Sequence, residues 1–201
     1  SRHYAKAAKL PMLEPSNSKE ALEFAKAAYD ISEGFDTPVL LKMCTRVAHS
    51  QSIVETSDRV EKEQVEYVKN PSKYIMMPGN AKLRHPVVEE RTKALTEYAE
   101  TAAINVLEAG QSNEKGIITS STSYQYAKEV LGDKYPVYKL GMIWPMPKKA
   151  ILDFMVEGQK YTITDLMKSV PELADLSNQR VSALVRQLKD SGSVIRTEEK
   201  R

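Results

Sequence analysis

Residues 38–43, PVLLKM, form a nearly continuous apolar run of strand length, and they follow directly on NSKEALEFAKAAYDISEGF, which has helical spacing. A strand whose apolar residues do not alternate is expected to be covered on both faces, as in a parallel sheet. Upstream, Pro11 and Pro15 bracket another short extended piece, PMLEP. The order strand, helix, strand selects an α/β architecture built on parallel strands. In the intervening helix, Asn17 or Ser18 can cap the first turn, Glu20 suits its positive end, and Gly34 is the expected left-handed stop.

Residues 55–85 interrupt this pattern. ETSDRVEKEQVEYVKN is highly charged and NPSKYIMMPGNAK carries two prolines and a glycine, so an exposed connector is expected. A long helix follows from about Pro86 to Ala109, with Val88, Leu95, Tyr98 and Ala102 on one face and Gly110 as its stop. GIITS then reads as a strand, SYQYAKEVLG as a helix and PVYKLG as a strand, so a second doubly wound unit begins near residue 115. GMIWPMP reads as a stiff apolar turn at a domain or subunit contact.

From Lys148 the pattern changes again. It predicts a helix over about 148–157, a turn at Gly158, a short helix capped by Thr162 or Thr164, and a third helix, SNQRVSALVRQLKDSG, before a strand in SVIRTEEKR. Three helices and a strand follow the order of a winged helix-turn-helix. The stretch KKAILDFMVEGQKYTITDL serves equally as the end of the α/β part or as the first helix of this module. Contact of Ile151 and Met155 with Val181, Leu184 and Leu188 would assign it to the module; contact with strands around Ile117 and Val137 would assign it to the α/β unit.

Composition narrows the classes further. With 201 residues and 41% hydrophobic content, the chain can bury a core. Its net charge is +2, with eight basic and six acidic residues in 158–201, too small an excess to establish a nucleic-acid surface. No apolar run approaches the roughly 18 residues of a membrane span. The opening SRHYAKAAKL lacks the apolar core of a signal peptide, so no membrane association and a cytoplasmic location are expected. The single cysteine, Cys44, can form no internal disulfide and has no partner at metal-ligand spacing, so no metal site is expected. Ser1 stands at the head of a helical segment, which suggests a fragment or a processed product.

Long strings carry a more specific signal. Residues 1–50, KYIMMPGN, and GIITSSTSYQYAKEVLGDKYPVYKLGMIWPMPKKAILDF resemble, in order and spacing, the middle of the alpha subunit of indolepyruvate:ferredoxin oxidoreductase, of the 2-oxoacid:ferredoxin oxidoreductase family. The resemblance covers residues 1–157. It implies incomplete doubly wound thiamine-enzyme-type units, and the small winged-helix-like module read from the residue pattern follows them. Residues 1–54 would be the end of a pyrimidine-binding-like domain, 55–114 the connector and long helix, 115–150 the start of a transketolase C-terminal-like domain, and 151–201 the module. The implied activity is oxidative decarboxylation of aryl 2-oxoacids to acyl-coenzyme A, with thiamine diphosphate, magnesium and iron–sulfur clusters as cofactors and a beta subunit and ferredoxin as partners. In such enzymes the activating glutamate precedes the matched part, while the diphosphate motif and cluster cysteines follow it. No catalytic residue and no bound cofactor are therefore expected in this chain alone. Incomplete sheets also predict association into oligomers.

Candidate site residues follow. By the resemblance, Lys6 stands at about the position of the basic residue that meets the substrate carboxylate in related enzymes; the alternative is a surface lysine on a helix. Arg46 and His49, in TRVAHS after the apolar strand, stand where open α/β sheets place ligands, and suit an anion, a cofactor or a subunit contact; a loop-ordering salt bridge and an exposed histidine are the alternative. Cys44 is expected to be a buried small residue. SSTS, residues 120–123, is expected to cap a helix. Gln179, Arg180, Ser182 and Arg186 on the third helix of the module are the candidates for DNA contact, with protein binding as the alternative use of that module.

Overall fold

The structure is a computed structural model, and it describes residues 1–61 and 66–156. The expected turn and helices beyond residue 157, the terminal strand, and Gln179, Arg180, Ser182 and Arg186 lie outside the described residues. The chain divides into two compact units, Ser1–Ile151 and Leu152–Arg201. Of the second, the described part is the C-terminal portion of one helix.

The first unit begins with α1 (Arg2–Ala8), β1 (Met12–Leu13), α2 (Ser18–Phe35) and β2 (Leu40–Leu41). β1 and β2 pair in parallel, Met12 with Leu40 and Leu13 with Leu41, as the strand, helix, strand order requires. Asn17 is the cap of α2, its side chain accepting from the Glu20 amide at 2.9 Å. Glu20 in turn accepts from the Ser16 amide and hydroxyl, a reciprocal arrangement that satisfies donors at the helix start. The stop differs from expectation. Gly34 lies inside the helix, and Asp36 takes the left-handed conformation (φ 51°) that ends it. Asp and Asn tolerate that region better than other non-glycine residues. The strand in PVLLKM is also shorter than its apolar run, and its two residues are half-buried at a sheet edge.

After β2 come α3 (Thr45–His49), α4 (Pro71–Tyr74) and the long α5 (Pro78–Thr101). Both Pro78 and Pro86 suit a first helical turn; Pro78 occupies it and Pro86 falls inside the helix, so α5 starts earlier than expected. It also stops earlier. The Asn105 side chain donates to the Ala99 carbonyl at 2.9 Å and accepts from the Gly141 and Met142 amides at 3.0 and 2.9 Å, which draws the chain out of the helix. Residues Val106–Glu108 then form a strand, β3, where the apolar spacing suggested continued helix.

The remaining described elements are β4 (Ile117–Ser120), α6 (Ser121–Leu131), β5 (Val137–Leu140), β6 (Met142–Trp144) and α7 (Lys148–Val156). The described residues form two three-stranded sheets, ordered β2-β1-β6 and β3-β5-β4. The expected parallel pair β4·β5 is present, but each sheet also holds an antiparallel strand, β6 on β1 and β3 on β5, so the sheets are mixed. Only Gly141 separates β5 from β6, which leaves no room for a crossover helix and carries the chain from one sheet into the other. GMIWPMP is thus partly strand.

The core joins α2 and α5 to the first sheet. Leu13, Phe24, Ile31, Leu95, Ala99 and Met142 are buried together, with Ala28, Phe35, Leu41, Tyr98 and Ile104 packed against them. Phe24, Ala28, Ile31 and Phe35 recur at helical spacing on α2, which is why that face is inside. Phe35 meets Tyr98 edge to face, with ring centroids 5.3 Å apart.

A Cβ on Gly141 would stand 2.3 Å from the Ile104 carbonyl oxygen and 2.6 Å from the Phe24 ring. Gly141→Ala is therefore expected to destabilise the unit by about 1–3 kcal/mol, as overpacked sites do. Asn105→Ala, which strips partners from two buried amides, is expected to cost about 2 kcal/mol. Thermal unfolding followed by circular dichroism checks both; unchanged midpoints would show that the junction is not tightly packed.

Candidate functional site

The carboxyl ends of β1, β2 and β4 carry Glu14, Lys42 and Ser120; Glu14 meets both Lys42 and Arg2 of α1, and Arg2 reaches Ser120. Glu14 is buried, with no side-chain exposure. Its two oxygens accept from Arg2 Nε at 2.7 Å and Nη2 at 2.6 Å, and Lys42 Nζ lies 3.2 Å from Oε1. Arg2 Nη2 also donates to the Ser120 hydroxyl at 3.2 Å. Burial alone would push the Glu14 pKa up, but the hydrogen bonds and charges of Arg2 and Lys42 outweigh it and hold the pKa below its ordinary value. The cluster carries two cations and one anion. Arg2 keeps about half of its side chain exposed, and its Nη1 has no partner among the described residues.

Lys6, one helical turn further on, is directed elsewhere. Its ammonium lies 6.0 Å from the centroid of the Trp144 ring, and Trp144 pairs with Met12 at the start of β1. Of the two cations in RHYAK, Arg2 stands at the carboxyl edge of the strands and Lys6 does not. The sequence signal was the spacing of four between them, which puts both on one face of a helix. Glu14 and Lys42 carried no such signal, because what unites them is strand pairing.

A second feature adjoins this edge. A cleft of about 310 Å³ opens between the start of α2, α3 and the start of α6. Arg46 lines it with its guanidinium carbon 5.5 Å from the Tyr126 ring centroid, a cation–π contact, and makes no salt bridge among the described residues. Ser18 and Ser50 meet across it at 3.2 Å between hydroxyl oxygens, and Gln125 donates to the buried Ser16 hydroxyl at 3.2 Å. His49 is exposed on the last turn of α3 and does not line the cleft. Ser120 is the N-cap of α6, but its side chain makes no capping bond and accepts from Arg2 instead. Cys44 is half-buried rather than buried. Burial pushes its thiol up, yet the Val47 and Arg46 backbone amides and the Thr122 and Ser121 side chains together bring it below its usual value.

A second ionic group, linked to the cleft through the Ser16 bond to Glu20, is one that sequence reasoning passed over. Lys139 is buried in β5, pairs with Glu20, and sits 4.0 Å from the centroid of the Tyr124 ring. The Tyr124 hydroxyl donates to Glu108 at 2.6 Å, and burial followed by that carboxylate pushes its pKa up to about 12. A lysine in the apolar string PVYKLG was the available sign of a buried ion pair. Among the described residues no three His, Cys, Asp or Glu side chains gather where a metal could be held. With Cys44 the single cysteine of the sequence, these residues do not fit a thiolate-bound cluster. No helix among the described residues is long and apolar enough to cross a membrane.

No family model matches the chain. Among curated proteins it is similar to the indolepyruvate oxidoreductase subunit IorA of Archaeoglobus fulgidus, at 33% identity over 177 residues, covering 86% of this chain and 28% of that protein. The subunits of the same name from Methanothermobacter thermautotrophicus, at 36% identity, and Thermococcus kodakarensis, at 30%, each match 85% of this chain and 28% of their own length. The chain therefore spans little more than a quarter of the length of these homologues. The matched share is larger than residues 1–157 make up, so the likeness runs past that point.

Glu14 and Glu20 both have pKa values below the ordinary carboxylate value, Glu20 because Lys139 and Ser16 outweigh the upward effect of its burial. Such groups stabilise the fold above the unfolded-state pKa of about 4.3, and that stabilisation is lost as pH falls through the folded-state value. The melting temperature is expected to hold between pH 7 and pH 5 and to fall steeply below about pH 4. A profile that stays flat to pH 3 would contradict the two ion pairs.

Proposed function

We propose that this chain is a segment of the alpha subunit of an indolepyruvate:ferredoxin oxidoreductase, which oxidatively decarboxylates aryl 2-oxoacids to acyl-coenzyme A. The observation that carries this reading is the match to subunits of that name across 85–86% of the chain. In the complete enzyme, thiamine diphosphate supplies the electron sink for decarboxylation, and iron–sulfur clusters pass electrons to ferredoxin. The residues of this segment contribute binding and positioning. Its α1 presents a cationic face to the substrate carboxylate, Arg2 making the contact at the strand edge and Lys6 adding positive charge one turn away. A carboxylate desolvated in a site needs such a cation, and a guanidinium is better suited than an ammonium to a fixed geometry. Arg46, in its serine-lined cleft, and His49, on the same short helix, face a cofactor group or a neighbouring subunit.

The segment alone is inactive in this reading, because the activating glutamate, the diphosphate motif and the cluster cysteines belong to other parts of the subunit. Its partners are a beta subunit and ferredoxin. Sheet edges with exposed apolar residues, Leu107 on β3 at 63% and Ile118 on β4 at 39%, favour association.

The test compares two preparations with indolepyruvate, thiamine diphosphate, coenzyme A and a one-electron dye. One is this chain; the other is the protein encoded by its whole reading frame, purified with its partner subunit. Dye reduction is expected from the complex only. Turnover by the chain alone would overturn the assignment of the chemistry to other segments, and a well-folded complex inert to all aryl 2-oxoacids would overturn the function.

A further inference from the structure

We propose that Glu14 is a positioning residue for anion recognition: its buried carboxylate holds the Arg2 guanidinium side-on and turns the Nη1 edge toward an incoming 2-oxoacid carboxylate. This rests on the reading that α1 meets the substrate. The hydrogen-bond inventory of Arg2 supports it. Of the five guanidinium N–H groups, Nε–H and one Nη2–H go to Glu14, the other Nη2–H goes to Ser120, and the two on Nη1 remain. A carboxylate that bridges Nε and Nη2 leaves the guanidinium plane little freedom to rotate, so the remaining edge has a fixed direction.

Burial makes Glu14 a good clamp. An exposed carboxylate would exchange Arg2 for water at little cost, whereas a carboxylate without side-chain exposure loses its partner only at a large desolvation penalty. Its other cation, Lys42, does not replace Arg2, because Lys42 reaches Oε1 alone. The group as a whole keeps one positive charge in excess, which attracts an anion without neutralising Glu14. Lys6 and Trp144 fall outside this arrangement, so the clamp distinguishes Arg2 from its neighbour one turn away.

The test uses the full chain carrying ¹⁵N-labelled arginine. One Nε–Hε signal, identified by its loss in Arg2→Lys, is followed during titration with phenylpyruvate and, separately, with its uncharged methyl ester. The signal is expected to move with the acid and not with the ester. In Glu14→Gln the midpoint for the acid is expected to rise about tenfold, as when a charge-assisted contact loses its alignment. If Glu14→Gln loses its dispersed spectrum, Glu14→Asp, which draws the same charge back by one methylene, serves with the same expectation. In the complete complex, Glu14→Gln should raise KM about tenfold and change kcat less than threefold, a split that general loss of structure would not give. An equal midpoint in wild type and variant, or an Arg2 signal that ignores the acid, would overturn the clamp. Turnover of aryl 2-oxoacids by the wild-type complex with an unchanged KM in the variant would leave the proposed function standing and remove Glu14 from it.

Discussion

A carboxylate taken wholly out of water at the end of a two-residue strand is the constraint from which much of this unit follows. The bare desolvation of Glu14 would cost several kcal/mol, so the ion is kept only if cations come to it. Arg2 comes from α1 and Lys42 from the residue after β2, while Ser120 at the end of β4 accepts the remaining Nη2 proton. One ion therefore binds a helix and the ends of three strands drawn from both sheets. The Glu14 amide extends the link, donating to the Gly141 carbonyl at 2.8 Å, at the point where the chain passes from β5 to β6.

The Gly141 junction explains why two short sheets behave as one unit. Asn105 satisfies the Gly141 and Met142 amides, the Phe24 ring covers the glycine, and no side chain would fit there. Backbone amides at such a crossing have no ladder partner, and a buried side-chain carbonyl oxygen is the remaining way to satisfy them. The second ionic group, Lys139 with Glu20 and Tyr124, ties the start of α2 to β5 by the same logic.

Local chemistry was legible in the sequence. The Asn17 cap rests on neighbours within a few residues, and the orders β1, α2, β2 and β4, α6, β5 rest on local apolar patterns. The misses rest on distant partners. The end of α5 depends on Asn105 reaching residues 141 and 142, and the strand character of Val106–Glu108 depends on β5, so helical spacing alone extended the helix too far. Asp36 in place of Gly34 was a choice between two residues that tolerate the same conformation. In the candidate site the resemblance pointed to Lys6, which lies near the Trp144 ring, while the neighbouring Arg2 is drawn to Glu14 by strand ends that a linear reading does not show.

Glu14 is ionised while buried because Arg2 and Lys42 hold it. The most direct measurement is the ¹³C chemical shift of the Glu14 side-chain carboxyl followed through an acid titration of the folded chain. A midpoint clearly below the ordinary glutamate value of about 4.3 is expected. A midpoint at or above that value, reached while the fold is intact, would mean that burial outweighs the two cations and would contradict this expectation.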